Sequence, residues 1–180
     1  KKILLVTKPS ISKFISRLDF CPDGPENLDD FLKMIELAKQ INKVHSKNIR
    51  FRFLNDNWNN KDRLSSFKVD ETANYDKSLK NTKIVISSYL LTPFSESLTN
   101  GIPSICLLDK KKWIFNKKFK PLIKEMKKNK ILFFSPIECA KHINKHYNTI
   151  NEWWYSKKVM STVNKFHNYV YYVNKKKKKN

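Results

Sequence analysis

The sequence has only two glycines, Gly24 and Gly101. The phosphate-binding motifs GxGxxG and GxxxxGK[ST] and the GxSxG elbow of hydrolases all need glycines at fixed spacing, and none of the three motifs occurs. Their absence argues against a P-loop protein, a typical dinucleotide-binding enzyme and an elbow hydrolase. The sequence also lacks an apolar run long enough to span a bilayer.

Cysteine is scarce as well. Cys21, Cys106 and Cys139 are odd in number and widely spaced, with no CxxC pair, which favours a reduced, cytoplasmic compartment. No secretory signal is visible. Since the chain begins with Lys1 rather than Met and opens on the pattern of a core strand, we expect it to be a fragment or the later part of a longer protein.

Arginine occurs only four times among 37 basic residues, although the formal net charge is +21. Specific nucleic-acid sites favour arginine forks with aromatic stacking, whereas lysines here are spread along the chain. We therefore expect no specific nucleic-acid partner, and only weak, salt-sensitive binding to polyanions. Five consecutive lysines lie near the end of the sequence. We predict one domain over residues 1–173 and a basic, disordered tail over 174–180.

Short apolar runs alternate with amphipathic patterns along the chain. This rhythm predicts an α/β fold with a doubly wound, mostly parallel sheet and carboxy-terminal helices. The predicted strands cover residues 2–7, 48–54, 67–69, 84–86, 104–108 and 131–134. The predicted helices cover 27–45, 75–79, 137–147 and 156–172, with a short helix opening at Thr92 and a basic helix within 110–130.

The stretch from Lys83 to Asp109 predicts a strand, a loop, a short helix and a second strand. Thr92 followed by Pro93 has the pattern of an N-cap and a first helical residue. A helix that opens just beyond the carboxyl end of a parallel strand is a natural anion site. Glu96, one turn inside, can accept hydrogen bonds from the hydroxyls of a sugar or ribose.

Two other segments offer candidate ligand-binding groups. The loop after the first strand carries Lys8, Ser10, Ser12 and Arg17, and it either lines a ligand cleft or is a surface connection. Arg52 ends an alternating strand, where it either clamps a phosphate or carboxylate or belongs to a solvated or salt-bridged strand face.

Two further patterns suggest a metal site and a membrane contact. Glu138, His142 and His146 follow helical spacing, but ligands spread over two turns point too far apart for one tetrahedral ion. We therefore expect a packed or solvated helix face there, and no metal site. The basic segment 110–130 with its aromatic residues is compatible with membrane-surface binding, and a globular helix with a solvated lysine face is favoured.

Several motifs together resemble a known family. They are SYLLTPFSESLTNGIP, CLLDKKKW, ILFFSPIECAKHIN, NEWWYSKKV and RFRFLNDNWNNKDRL. The chain resembles, from about Ile49 to Phe166 and in its first strand, a family of bacterial transferases of surface-carbohydrate biosynthesis first named from leptospiral genomes. Those proteins look like GT-B glycosyltransferases. The chain departs from the family at two positions, since Leu90 and Leu91 stand where the family loop is usually polar.

The resemblance implies the carboxy-terminal, Rossmann-like half of a GT-B enzyme, the half that binds a nucleotide-sugar donor as substrate and needs no further cofactor. It implies a glycan or lipid-linked acceptor, a cytoplasmic location at the inner face of the membrane with peripheral contact, and an amino-terminal domain that carries any catalytic base. The alternative is a non-catalytic basic module that docks to an anionic membrane or a partner. The donor-binding residues implied are Lys8, Ser10, Arg52, Thr92, Ser95 and Glu96.

Overall fold

A single open sheet organises the molecule. The computed structural model describes residues 1–7, 24–53, 56, 59–64, 66–90 and 92–177. Within them, six parallel strands lie in the order β3-β2-β1-β4-β5-β6, which confirms the predicted doubly wound α/β class with a Rossmann-like arrangement. The strands are β1 (Lys2–Val6), β2 (Ile49–Arg52), β3 (Lys68–Val69), β4 (Thr82–Ser87), β5 (Ser104–Leu107) and β6 (Leu132–Phe133).

The central strands form where the sequence is a continuous apolar run. Strands β1, β4 and β5 are almost entirely buried, as expected for parallel strands that helices cover on both faces. In register, Ile3 of β1 lies between Ile49 of β2 and Ile84 of β4. Leu5 likewise lies beside Ile86. These neighbouring branched side chains hold the centre of the sheet together.

Helices cover both faces of the sheet. They are α1 (Gly24–Gln40), α2 (Lys43–Ser46), α3 (Tyr75–Lys80), α4 (Thr92–Thr99), α5 (Lys120–Lys128), α6 (Pro136–His146), α7 (Ile150–Trp154) and α8 (Lys157–Lys177). One core cluster joins α1 and α6 to one face, and a second joins α4, α5 and α8 to the other. Among the helices of the described residues, none is long and apolar enough to cross a membrane.

The single helix predicted over 27–45 is wrong, because two helices occupy this segment. Helix α1 ends at Gln40, and Asn42 has an extended backbone before α2 begins. Asn144 of α6 stabilises the break, since its side chain donates to the Gln40 carbonyl at 3.0 Å and accepts from the Asn42 N–H at 2.9 Å. A contact from a distant helix therefore satisfies the backbone groups that the break exposes.

The carboxy-terminal helix is longer than predicted. Helix α8 runs to Lys177 and includes four residues that were predicted to belong to the tail. The division of the chain at residue 173 stays a prediction.

Candidate functional site

The connections reverse direction between β1 and β4. From β1 the chain continues to β2 on one side, whereas from β4 it continues to β5 on the other. Beyond this pair of strands, Ser88 donates its N–H to the Val6 carbonyl at 3.0 Å, and Thr7 donates its own to Arg52 at 3.2 Å. In open α/β sheets, ligands bind at such a reversal, outside the carboxyl ends of the strands.

Helix α4 begins at this edge and has one buried face and one exposed face. Phe94, Ser97 and Leu98 are buried. Thr92 and Glu96 are exposed and Ser95 is half-buried. These three residues have the spacing i, i+3 and i+4, so they share one side of the helix.

The start of α4 differs by one residue from the prediction. Thr92 is the first helical residue rather than the cap, and Pro93 is the second. The capping position is residue 91, which lies outside the described residues. Thr92 stays at the amino end of the helix, where backbone N–H groups and the helix dipole favour an anion.

The Glu96 carboxyl has an altered acidity. Partial burial raises its pKa, and the negative charge of Asp76, in the first turn of α3, raises it further. The amino ends of α3 and α4 therefore place two carboxyls near one another. An ionised Glu96 here is an acceptor for hydroxyl donors.

Arg52 takes part in an internal ion pair. Its Nη1 atom donates to Asp70 Oδ2 at 3.3 Å and to the Thr72 carbonyl at 2.9 Å, and its side chain is only 14% exposed. Arg52 therefore belongs to a salt-bridged strand face, one of the two alternatives for this residue. A role in ligand binding, through its remaining N–H groups, stays a prediction.

Tyr75 is a site residue that sequence reasoning missed. Its ring lies 5.7 Å from the Arg52 guanidinium carbon, and its hydroxyl donates to the Pro93 carbonyl at 3.0 Å. Burial raises the pKa of Tyr75, so the phenol stays a neutral donor. Tyr75 thus connects Arg52 to the first turn of α4. The sequence predicted both at the same edge of the sheet, but it did not predict a residue that contacts both. No local pattern signals this contact.

Tyr89 lies beneath the same edge. Its side chain is 4% exposed, and its hydroxyl has no hydrogen-bond partner among the residues that the structure describes. Burial raises its pKa, and so does the nearby charge of Glu96. The floor of the site therefore contains a neutral, buried phenol.

Several predicted features lie outside the site or outside the described residues. Four predicted residues lie outside the described residues, so their ligand roles stay predictions: Lys8, Ser10, Ser12 and Arg17. The His142 ring contacts Trp153 at a centroid distance of 4.8 Å and His146 at 4.7 Å. No cluster of three potential metal ligands occurs in the described ranges.

A second polar cluster holds the end of β5. Asp109 accepts from Lys33 of α1, and Lys112 lies 3.4 Å from Asp29 and 3.7 Å from Asp30. Burial opposes ionisation of Asp109, but the hydrogen bond and charge of Lys33 lower its pKa overall. These ion pairs join the start of α1 to the chain that follows β5.

Comparison with known proteins supplies an assignment. The family model described as LIC12162 family transferase matches residues 1–179. The chain belongs to this family. The LIC12162 family match confirms the transferase family that the motifs indicated, over almost the whole sequence. Searches of curated proteins and of solved structures found no match.

Proposed function

We propose that this LIC12162 family chain is the donor-binding part of a glycosyltransferase that moves a sugar from a nucleotide-sugar to a cell-surface glycan or lipid-linked acceptor. The observation that carries the proposal is the exposed side of α4, with Thr92, Ser95 and Glu96, at the point where the strand connections reverse. The membership in a transferase family supports a group-transfer reaction.

In this proposal the donor diphosphate lies against the amino end of α4. The helix dipole and the backbone N–H groups of the first turn stabilise negative charge as the leaving group departs. Glu96 accepts hydrogen bonds from the ribose or sugar, and Thr92 and Ser95 contact the phosphates. Arg52, held by Asp70 and Tyr75, borders the cleft together with Lys8 and Ser10.

The proposal also covers the rest of the enzyme and its location in the cell. By the GT-B resemblance, an amino-terminal domain brings the acceptor and any catalytic base. The reaction takes place in the cytoplasm at the inner face of the membrane. No cofactor is needed besides the donor.

The test is calorimetry of the purified chain with UDP, GDP, CMP, dTDP and their sugars. We expect one nucleotide class to bind, and Glu96→Gln to weaken it by about tenfold, since a hydrogen bond to a charged acceptor is lost. The matched control is Glu36→Gln, which neutralises an exposed glutamate on α1. Because the pKa of Glu96 is raised, affinity should fall on acidification at a higher pH than for an ordinary glutamate.

Two results would contradict the proposal. One is a folded chain, joined to its amino-terminal domain, that binds none of these ligands. The other is binding that disappears with salt and is equal in Glu96→Gln and Glu36→Gln, which instead indicates the non-catalytic basic module.

A further inference from the structure

The segment between β5 and α5 presents an aliphatic side chain to solvent within a strongly basic surface. We call residues 109–119 the lysine-rich loop. It leaves from the carboxyl end of β5, the same sheet edge from which α4 begins. Ile114 in this loop is 96% exposed.

The lysine-rich loop is held at both ends. Asp109 accepts from the Lys111 N–H at 2.9 Å, and the Asn116 side chain accepts from the Lys118 N–H at 3.0 Å. Lys112 adds ion pairs to Asp29 and Asp30 on α1. The residues on both sides of Ile114 are therefore held in place, and they keep Ile114 exposed.

Aromatic rings beside Ile114 connect the loop to the core. Trp113 stacks on Phe115 at a centroid distance of 6.0 Å, Phe115 packs on Phe119 at 6.0 Å, and Phe119 packs on Phe166 of α8 at 6.2 Å. Trp113 and Phe115 are half-buried. Because this aromatic row occupies the space beneath the loop, Ile114 points away from the core.

Every charged residue from 110 to 124 is a lysine. No acidic residue occurs from 110 to 124. Five of the six lysines from 110 to 120 are exposed, and none of the five has a carboxylate partner among the described residues. They are Lys110, Lys111, Lys117, Lys118 and Lys120.

We propose that the lysine-rich loop docks the chain on an anionic lipid surface, with Ile114 entering the acyl region and the five lysines lying among the headgroups. An aliphatic tip gains free energy in hydrocarbon but cannot stack on a base, and lysine point charges suit headgroups better than base edges. Docking in this way puts the amino end of α4 at the membrane-facing edge, where a lipid-linked acceptor is reached.

Vesicle flotation tests the inference without any donor, so its outcome is separate from that of the proposed function. The probes are phosphatidylcholine vesicles with and without phosphatidylglycerol. We expect binding only to the anionic vesicles, weakened about tenfold by Ile114→Ser. Val44→Ser is the matched control, because Val44 is 72% exposed on α2. It should bind like the parent chain.

The charge contribution is tested with two paired variants. Lys117→Gln with Lys118→Gln should weaken binding about thirtyfold, since each lysine near an anionic surface contributes about 1 kcal/mol. Lys157→Gln with Lys158→Gln removes two exposed lysines of α8 and should have a smaller effect. All variants are also made with residues 175–179 changed to glutamine, so that the lysines at the end of the sequence cannot mask the result.

Contact with the bilayer is read directly from a probe at the loop. Ile114→Cys in a Cys21→Ser background carries an environment-sensitive dye, and its emission should shift to shorter wavelength on anionic vesicles. Equal binding of Ile114→Ser and the parent chain, or an unshifted dye, would overturn the inference. Equal affinity for anionic vesicles and for a short RNA, unaffected by Ile114→Ser, would show general polyanion binding in its place.

Discussion

At the scale of single residues, Asp70 holds the end of the sheet beside the candidate site. It accepts hydrogen bonds from Lys2 at 2.8 Å, from Thr72 at 2.6 Å, from Ser78 and from Arg52. Burial alone would raise its pKa, but the hydrogen bonds from Lys2, Ser78 and Thr72 outweigh burial and lower the pKa to about 2. Its charge therefore stabilises the fold at neutral pH.

We expect Asp70→Asn to lower the free energy of unfolding at neutral pH by about 2 kcal/mol, the equivalent of a shift of nearly two pKa units. Because the folded pKa lies below the unfolded value of 3.8, this contribution is present above about pH 4 and is lost as the pH falls towards 2. Urea unfolding of both chains over that range measures it.

The control for this prediction is Asp62→Asn, which changes an exposed carboxylate and should leave stability almost unchanged. If the difference in free energy of unfolding between Asp70→Asn and the parent chain stayed constant down to pH 2, the assigned role of Asp70 would be wrong.

The hydrogen bonds of Asp70 also explain why the role of Arg52 was only partly predictable from the sequence. Its partner Asp70 lies 18 residues later, and a strand pattern shows where a side chain points but not what it meets.

At the scale of elements, the strands were predictable because each central strand is a run of apolar residues that must be buried on both faces. The helix N-caps at Asn74 and Ser135 follow local rules too. The break between α1 and α2 was not predictable, because Asn144 stabilises it from a position 102 residues later than Asn42. Local pattern placed Glu96 at the site edge, whereas the role of Tyr75 depends on tertiary packing.

The end of α4 gives a prediction at this scale. Gly101 has a positive φ of 67°, the left-handed conformation that commonly follows the end of a helix. An added Cβ would meet only the Tyr155 hydroxyl, at an ordinary contact distance of 3.7 Å. Gly101→Ala should therefore cost about 1 kcal/mol from backbone strain alone. Chemical denaturation measures this cost.

Gly101→Asn is the matched variant, because asparagine tolerates the left-handed conformation better than alanine. It should retain more stability than Gly101→Ala. Equal losses in both variants would show that side-chain crowding, rather than backbone conformation, limits this position.

At the scale of the whole molecule, the excess of positive charge opposes the compact state. The net charge of +21 produces repulsion that the few ion pairs of the described residues offset only in part. Raising sodium chloride from a low to a physiological concentration should therefore raise the melting temperature by about 3 °C, or about 1 kcal/mol. Differential scanning calorimetry measures the change.

Choline chloride is the control for that salt effect, because screening depends on ionic strength rather than on the cation. The two salts should act alike. A fall in melting temperature with either salt would show that attractive ion pairs dominate over repulsion.

The position of β1 in the sheet has a consequence for synthesis of the chain. Strand β1 pairs with β2 on one side and with β4 on the other. Ile3 can therefore pair with Ile49 early in synthesis, but it can pair with Ile84 only after β4 has been made. During translation the centre of the sheet closes only after residues 82–87 have left the ribosome. Until then one edge of the apolar strand β1 has no partner strand. We therefore expect nascent chains that end before β4 to depend most on chaperones.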